Sequence, residues 1–171
     1  MRHYLCKCHH WFLRATTLFL VCGSIYYMME LLWDGSSHFS MFILAGLCAI
    51  FFIDSLNNFY SMEMDYLLQV GISTIFCTLA EGVTGLIVNK WLGLNVWDYS
   101  SLPFNFFYGQ CCLYFVFLWI IIIGFLGIPI CDAINYYVFK IEPCPYYKIN
   151  GKIIVKFKEL KGLKNEKKKK E

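Results

Sequence analysis

YLLQVGISTIFCTLAEGVTGLIV, residues 66–88, decides the fold: it is a 23-residue apolar run interrupted by one charged side chain, Glu81. At ~1.5 Å per residue, a helix of this length exceeds the ~30 Å hydrocarbon core of a bilayer. A carboxylate near a bilayer centre costs roughly 2.5 kcal/mol or more on insertion scales, so intramembrane acids face a partner, a cavity or a substrate path. Any functional reading of this chain therefore starts at Glu81.

Working outward, three more apolar runs complete the pattern. Trp11–Trp33 follows Arg2, Lys7 and Arg14 and reads as an uncleaved signal anchor, because it is too long for a signal peptide and lacks a small-residue cleavage site. Phe39–Ile53 is short, and reaches 18 residues only when extended to Leu56. The last run starts near Cys111 and continues from Leu113 to Ile130 before Asp132. Between the third and fourth runs, Asn89–Gln110 is rich in Trp, Tyr, Asn, Pro and Gly, as suits an interfacial or re-entrant segment with Trp91 and Trp97 at headgroup level. The expected fold is all-α: an integral membrane bundle of four transmembrane helices with an interfacial segment between helices three and four.

Composition agrees with a membrane class. The 171 residues are 58% hydrophobic and 19% aromatic, against about 45–50% apolar content in soluble domains. Of 15 Lys and Arg, three lie at or before Arg14, one is Lys90 and eleven lie from Lys140 onward. Four spans place both termini on one side, and the cation excess at both ends assigns that side to the cytoplasm. Basic residues that flank spans encode orientation, so no nucleic-acid partner is expected and the lipid bilayer is the primary one. The expected organisation is a cytoplasmic N-terminal segment (1–10), a four-helix transmembrane domain (11–140) and a basic cytoplasmic tail (141–171). In that tail, Tyr146–Ile149 and Lys152–Phe157 flank the turn signal Asn150-Gly151 and can pair as a hairpin. The Lys167–Lys170 run reads as disordered. The nine cysteines are scattered and imply no disulfide framework.

Helical spacing places Thr74, Cys77, Thr78, Glu81, Thr84 and Gly85 on one face. Such a stripe serves equally as a packing face with Glu81 bonded across it or as the lining of a transport path. In the predicted topology Glu30 and Glu81 both lie toward the outer half, where Asp98 and His38 can join them in a cation- or proton-binding cluster. Ordinary interfacial solvation is the alternative for Glu30 and Asp98. Asp132 reads as an interfacial or helix-packing residue. Cys6, Cys8, His9 and His10 have ligand chemistry but no closed four-ligand spacing, so no metal is assigned, and no cofactor. The chain has no phosphate-binding loop with the required Gly and Lys-Ser/Thr spacing, and no defensible Ser-His-Asp or zinc-protease pattern. It is not expected to be an enzyme, and any use of ATP requires a separate subunit.

The stretch EGVTGLIVNKWLGLNVWDYSSLPFN (81–105), followed by Gly109-Gln110-Cys111, resembles the ABC-transporter type IV permease family of bacterial membrane proteins. Further agreement runs through Ser37–Ile43, Trp119, Asp132 and Tyr147-Lys148. The departures are Gly82 in place of a bulky residue, Phe107-Tyr108 before the Gly-Gln pair, Cys131 in place of an acid, and a tail beyond Ile149 that reads as an addition. The resemblance implies a bacterial cytoplasmic-membrane permease subunit, and the positions that match are Glu81, Gly85, Asn89, Trp97, Asp98, Tyr99, Pro103, Asn105 and Gln110. Glu81, Glu30, Asp98, Asn105 and Gln110 then form the expected polar core, and Gly85, Asn89, Trp97, Tyr99 and Pro103 the motif that shapes it. Four short helices enclose little space, so a homo-oligomer or a separate ATPase subunit is the expected partner. A non-transporting membrane scaffold is the alternative. A transporter needs a solvated path to Glu81, whereas a scaffold buries it against a donor.

Overall fold

The computed structural model describes residues 2–56 and 63–160, with residues 2–10 as backbone only. The Cys6, Cys8, His9 and His10 side chains and the Lys167–Lys170 run lie outside the described residues. The chain is mostly helical. Helix α1 spans Arg2–Asp34, α2 Phe39–Asp54, α3 Tyr66–Trp91 and α4 Leu113–Phe139. Three segments are long and apolar enough to cross a membrane: Trp11–Asp34 of α1 with 24 residues, α3 with 26 and α4 with 27. Helix α2 is the shorter apolar element, although helical structure continues to Leu56. Helix α1 runs unbroken through the boundary expected at residue 10.

Pairing contacts give the helix directions. Gly23 lies against Phe42 and Gly46 against Phe19, while Arg14 pairs with Asp54, so α1 and α2 are antiparallel. Tyr66 donates to the Gly124 carbonyl at 2.5 Å and Glu81 meets Trp119, which makes α3 and α4 antiparallel. Tyr26 stacks on Trp119 at 5.1 Å, closing α1 onto α4. The core between the two ends of the bundle is built from Leu18, Leu44, Cys48, Val70, Cys77, Ile123, Ile128 and Cys131.

The helices are not uniformly α. Wider π-helical turns occupy Ala49–Asp54, Leu86–Trp91, Ile123–Gly127 and Ile134–Phe139. Each is a local insertion into the α-helical ladder, a feature frequent at functional sites. Three of the buried polar side chains, Asp54, Asn89 and Asn135, sit in these turns.

Two short antiparallel ribbons modify the all-α expectation. The ribbon of β1 (Asn105–Phe106) and β2 (Cys111–Cys112) was not foreseen. It forms because Phe107, Tyr108 and Gly109 take positive φ values of 51°, 55° and 77°, reversing the chain so that its backbone groups can pair. The second ribbon is the hairpin expected at Asn150-Gly151: β3 (Tyr146–Ile149) pairs with β4 (Lys152–Lys156).

Small residues set the α1–α2 approach. A Cβ on Gly23 would stand 2.8 Å from the backbone carbonyl oxygen of Phe42, whereas a Cβ on Gly71 meets nothing within 4 Å. We expect Gly23→Ala to destabilise the bundle by about 1–3 kcal/mol through overpacking. Gly71→Ala should be neutral or stabilising, because alanine lowers the entropy cost of helix formation. Thermal unfolding in detergent compares the two.

Candidate functional site

The polar groups gather at three levels. The first is Glu81, 2% exposed, on the buried face of α3 that also carries Ser73, Thr74, Cys77, Thr78 and Gly85. Its carboxylate accepts from the Trp119 indole at 3.0 Å, and Tyr26 stacks on the face of that indole. Among the described residues no cation pairs with Glu81. Burial against a donor is the arrangement expected of a packing carboxylate.

The second level is the segment joining α3 to α4, whose amides are spent on closing it. Asn89, in its π-helical turn, donates to Gln110 Oε1 at 2.7 Å and accepts from the Val96 amide at 2.7 Å. The Trp97 indole donates to the Gln110 carbonyl at 3.0 Å. Gln110 is fully buried against Gly85, where a Cβ would approach its side chain to 2.7 Å. Asn105 donates to the carbonyls of Leu102 and Ser100, shaping the turn that follows Tyr99. The Pro103 carbonyl accepts from the Cys112 thiol. Tyr99 stacks on Phe115 at 4.3 Å, and burial together with the nearby Glu81 and Glu30 carboxylates holds its hydroxyl well above the usual phenol range. Two sequence departures prove to be one feature, since the Phe107 ring packs 3.0 Å from the place a Gly82 Cβ would take.

Glu30 lies on the Tyr26 side of the Trp119 indole, bonded to Tyr26 and close enough to Glu81 for the two carboxylates to interact, whereas Asp98 and His38 are held by local partners. Asp98 is exposed; it accepts from the Ser100 amide at 2.8 Å and lies 3.7 Å from Lys90. These contacts, led by the Ser100 hydrogen bond, hold its carboxyl below the ordinary range. Glu30 accepts from Ser37 at 2.5 Å across the α1–α2 turn, and His38 caps the start of α2 through the Ser40 amide.

The third level, at the opposite end of the bundle, was not anticipated from sequence. Arg14 pairs with Asp54 at 3.1 Å, and Asp54 is 1% exposed. Asn135 donates to both Asp54 and Glu142 at 2.6 Å. The Tyr147 hydroxyl donates to Asp132 at 2.8 Å, and its ring stacks on Tyr66 at 4.3 Å. The network therefore joins all four helices to the hairpin. The available signal was Arg14 and Asp54, opposite charges at the facing ends of two consecutive apolar runs.

A family model described as "Putative ABC-transporter type IV" matches residues 11–157. The chain belongs to this family. It is a multi-pass membrane protein of transporter-related character. The match runs through β4, so the chain from Ile149 to Phe157 is part of the family region and not an addition. No curated protein and no solved structure matches the chain.

Arg14→Met should cost about 3–5 kcal/mol, because it removes the cation from a buried carboxylate, and Arg14→Met with Asp54→Leu should recover most of the loss. Chemical or thermal unfolding of the single and double variants measures this. Burial, and then the Asp132 and Asp54 carboxylates, push Glu142 up to about 7, from an ordinary value near ~4.3. A raised folded-state pKa means that the native state binds the proton more tightly. The stabilisation is complete below about pH 4.3 and is lost as pH rises through about 7. Hydrogen exchange of the hairpin should accelerate between about pH 5 and 8, after correction for intrinsic rates, and Glu142→Gln should flatten that change.

Proposed function

We propose that the chain is a permease-like subunit of the bacterial cytoplasmic membrane, crossing it four times with both termini in the cytoplasm. The observation that carries the reading is the family match over residues 11–157 together with the antiparallel order of four apolar helices. On this reading the Arg14 end faces the cytoplasm, and the segment between α3 and α4 seals the outer end. The bundle itself is closed at the level of Glu81. Transport therefore needs the Glu81–Trp119 contact to open within an assembly of further copies of the chain or with a separate subunit that hydrolyses ATP. The substrate site would centre on Glu81, with Glu30 and Tyr26 beyond Trp119. The chain itself is non-catalytic.

A second reading has its own support: the Glu81–Trp119 bond satisfies what a scaffold requires, a buried acid held by a donor. Two substitutions separate the readings. Glu81→Gln keeps the volume and an acceptor for the indole but removes the charge, whereas Glu81→Leu removes both. In vesicles containing the assembled transporter, the permease reading expects Glu81→Gln to lower proton or cation flux at least about tenfold, equivalent to ~1.4 kcal/mol, with unfolding unchanged. Unchanged flux in Glu81→Gln, with stability lost only in Glu81→Leu, would assign Glu81 to packing.

A further inference from the structure

The hairpin at the Arg14 end is asymmetric. Strand β3 is fastened to the bundle: Tyr147 to Asp132, Tyr146 to Glu63 at 2.7 Å, Lys148 to Glu63, and the Asn150 amide to Asp65 at 2.7 Å. Glu63 and Asp65 immediately precede α3, and Asp132 lies in the last part of α4. These anchors fix the ribbon beside the ends of two membrane-crossing helices. The Lys148 contact, reinforced by the Tyr146 hydroxyl, also holds the Glu63 carboxyl below its ordinary range.

Strand β4 pairs with β3 and is followed directly by residues tied to the end of α4, Phe157 stacking on Tyr137 and the Lys158 carbonyl accepting from the Tyr137 hydroxyl, yet all five of its own residues are exposed. Ile153, Ile154 and Val155 are 55%, 60% and 46% exposed. The register shifts between Tyr147 and Lys148, so Ile154 stands opposite no residue of β3. Val138 in the last turn of α4 and Ile141 just beyond it are also exposed. Lys152 precedes this triplet and Lys156 and Lys158 follow it. From Lys140 onward the sequence carries eleven Lys against four Glu, a net of +7. An exposed apolar edge strand is ordinarily avoided in soluble proteins because it invites pairing with another chain. Antiparallel self-pairing of Lys152–Lys156 would set lysine opposite lysine, which disfavours a second copy.

Apolar residues bracketed by cations and placed at a span boundary match the chemistry of an anionic leaflet. We infer that β4 is a lipid-binding strand, which seats Ile153, Ile154 and Val155 at the headgroup–acyl boundary while Lys152 and Lys158 meet anionic headgroups. The Tyr147–Asp132 and Tyr66–Tyr147 contacts then connect lipid charge to α3 and α4. This inference rests on the chain crossing a membrane and is independent of whether Glu81 serves transport.

Hydrogen exchange of the full chain, one copy per nanodisc, tests it in phosphatidylcholine alone and with about 30% phosphatidylglycerol; each lysine near an anionic surface is worth ~1 kcal/mol. The inference expects exchange across residues 152–156 to slow at least about fivefold in the anionic discs, a factor of one such lysine. Residues 66–85 serve as the folding control and should not change. Lys152→Glu with Lys158→Glu should abolish the difference between discs, and Ile153→Ser with Val155→Ser should reduce protection in both. Equal exchange of the parent chain in the two discs would overturn the inference. So would protection of β4 that appears only when two copies share a disc, which would assign the strand to self-association.

Discussion

The Arg14–Asp54 ion pair is the contact on which the arrangement of the helices depends. Two opposite charges at the facing ends of α1 and α2 cannot both be buried unless they meet. Their meeting fixes the hairpin of these helices in register with the small-residue contacts at Gly23 and Gly46. Asn135 then binds Asp54 from α4, and Glu142 and Tyr147 bring in the chain after the last helix. A polar assembly inside an apolar bundle is costly when partly satisfied and specific when satisfied. It explains why the β3–β4 ribbon, which would be marginal alone in water, is held in one place.

The opposite end is closed by amides in place of charges. Asn89 and Gln110 satisfy one another and the turn around them, and Gly85 lets the buried Gln110 side chain sit directly on α3. Buried non-helical backbone persists only where its polar groups are paired within the protein. The positive φ values at Phe107 and Tyr108 are part of that closure. Between the two ends, Glu81 and Trp119 join α3 to α4 through one indole–carboxyl hydrogen bond, and Tyr26 brings α1 onto the same indole.

Much of this was legible in the sequence. The run at 66–88 announced its helix, its length and its buried face, and Asn150-Gly151 announced a hairpin, since a turn needing positive φ is written in local residue types. The resemblance drawn on residues 81–105 agrees with the family that the chain belongs to. The local commitments of Asp98 and His38 were not legible, because helix level alone does not give direction. Their side chains are committed to Ser100 and Lys90 and to the Ser40 amide, while Glu30 binds both Ser37 and Tyr26. Arg14 was readable as an orientation signal, but its partner lies forty residues away.

The sequence by itself determined the apolar helices, the charge asymmetry, the polar stripe of α3 and the tail hairpin, because each follows from local periodicity and composition. Only the tertiary structure decided which acid meets which partner. Asp54, Asn89 and Asn135 are aimed from π-helical turns, insertions that leave no mark in hydrophobic periodicity. The pairings of Arg14 with Asp54, Asp132 with Tyr147 and Glu81 with Trp119 arise where separate elements pack, and burial makes those long-range contacts obligatory once the helices are in place.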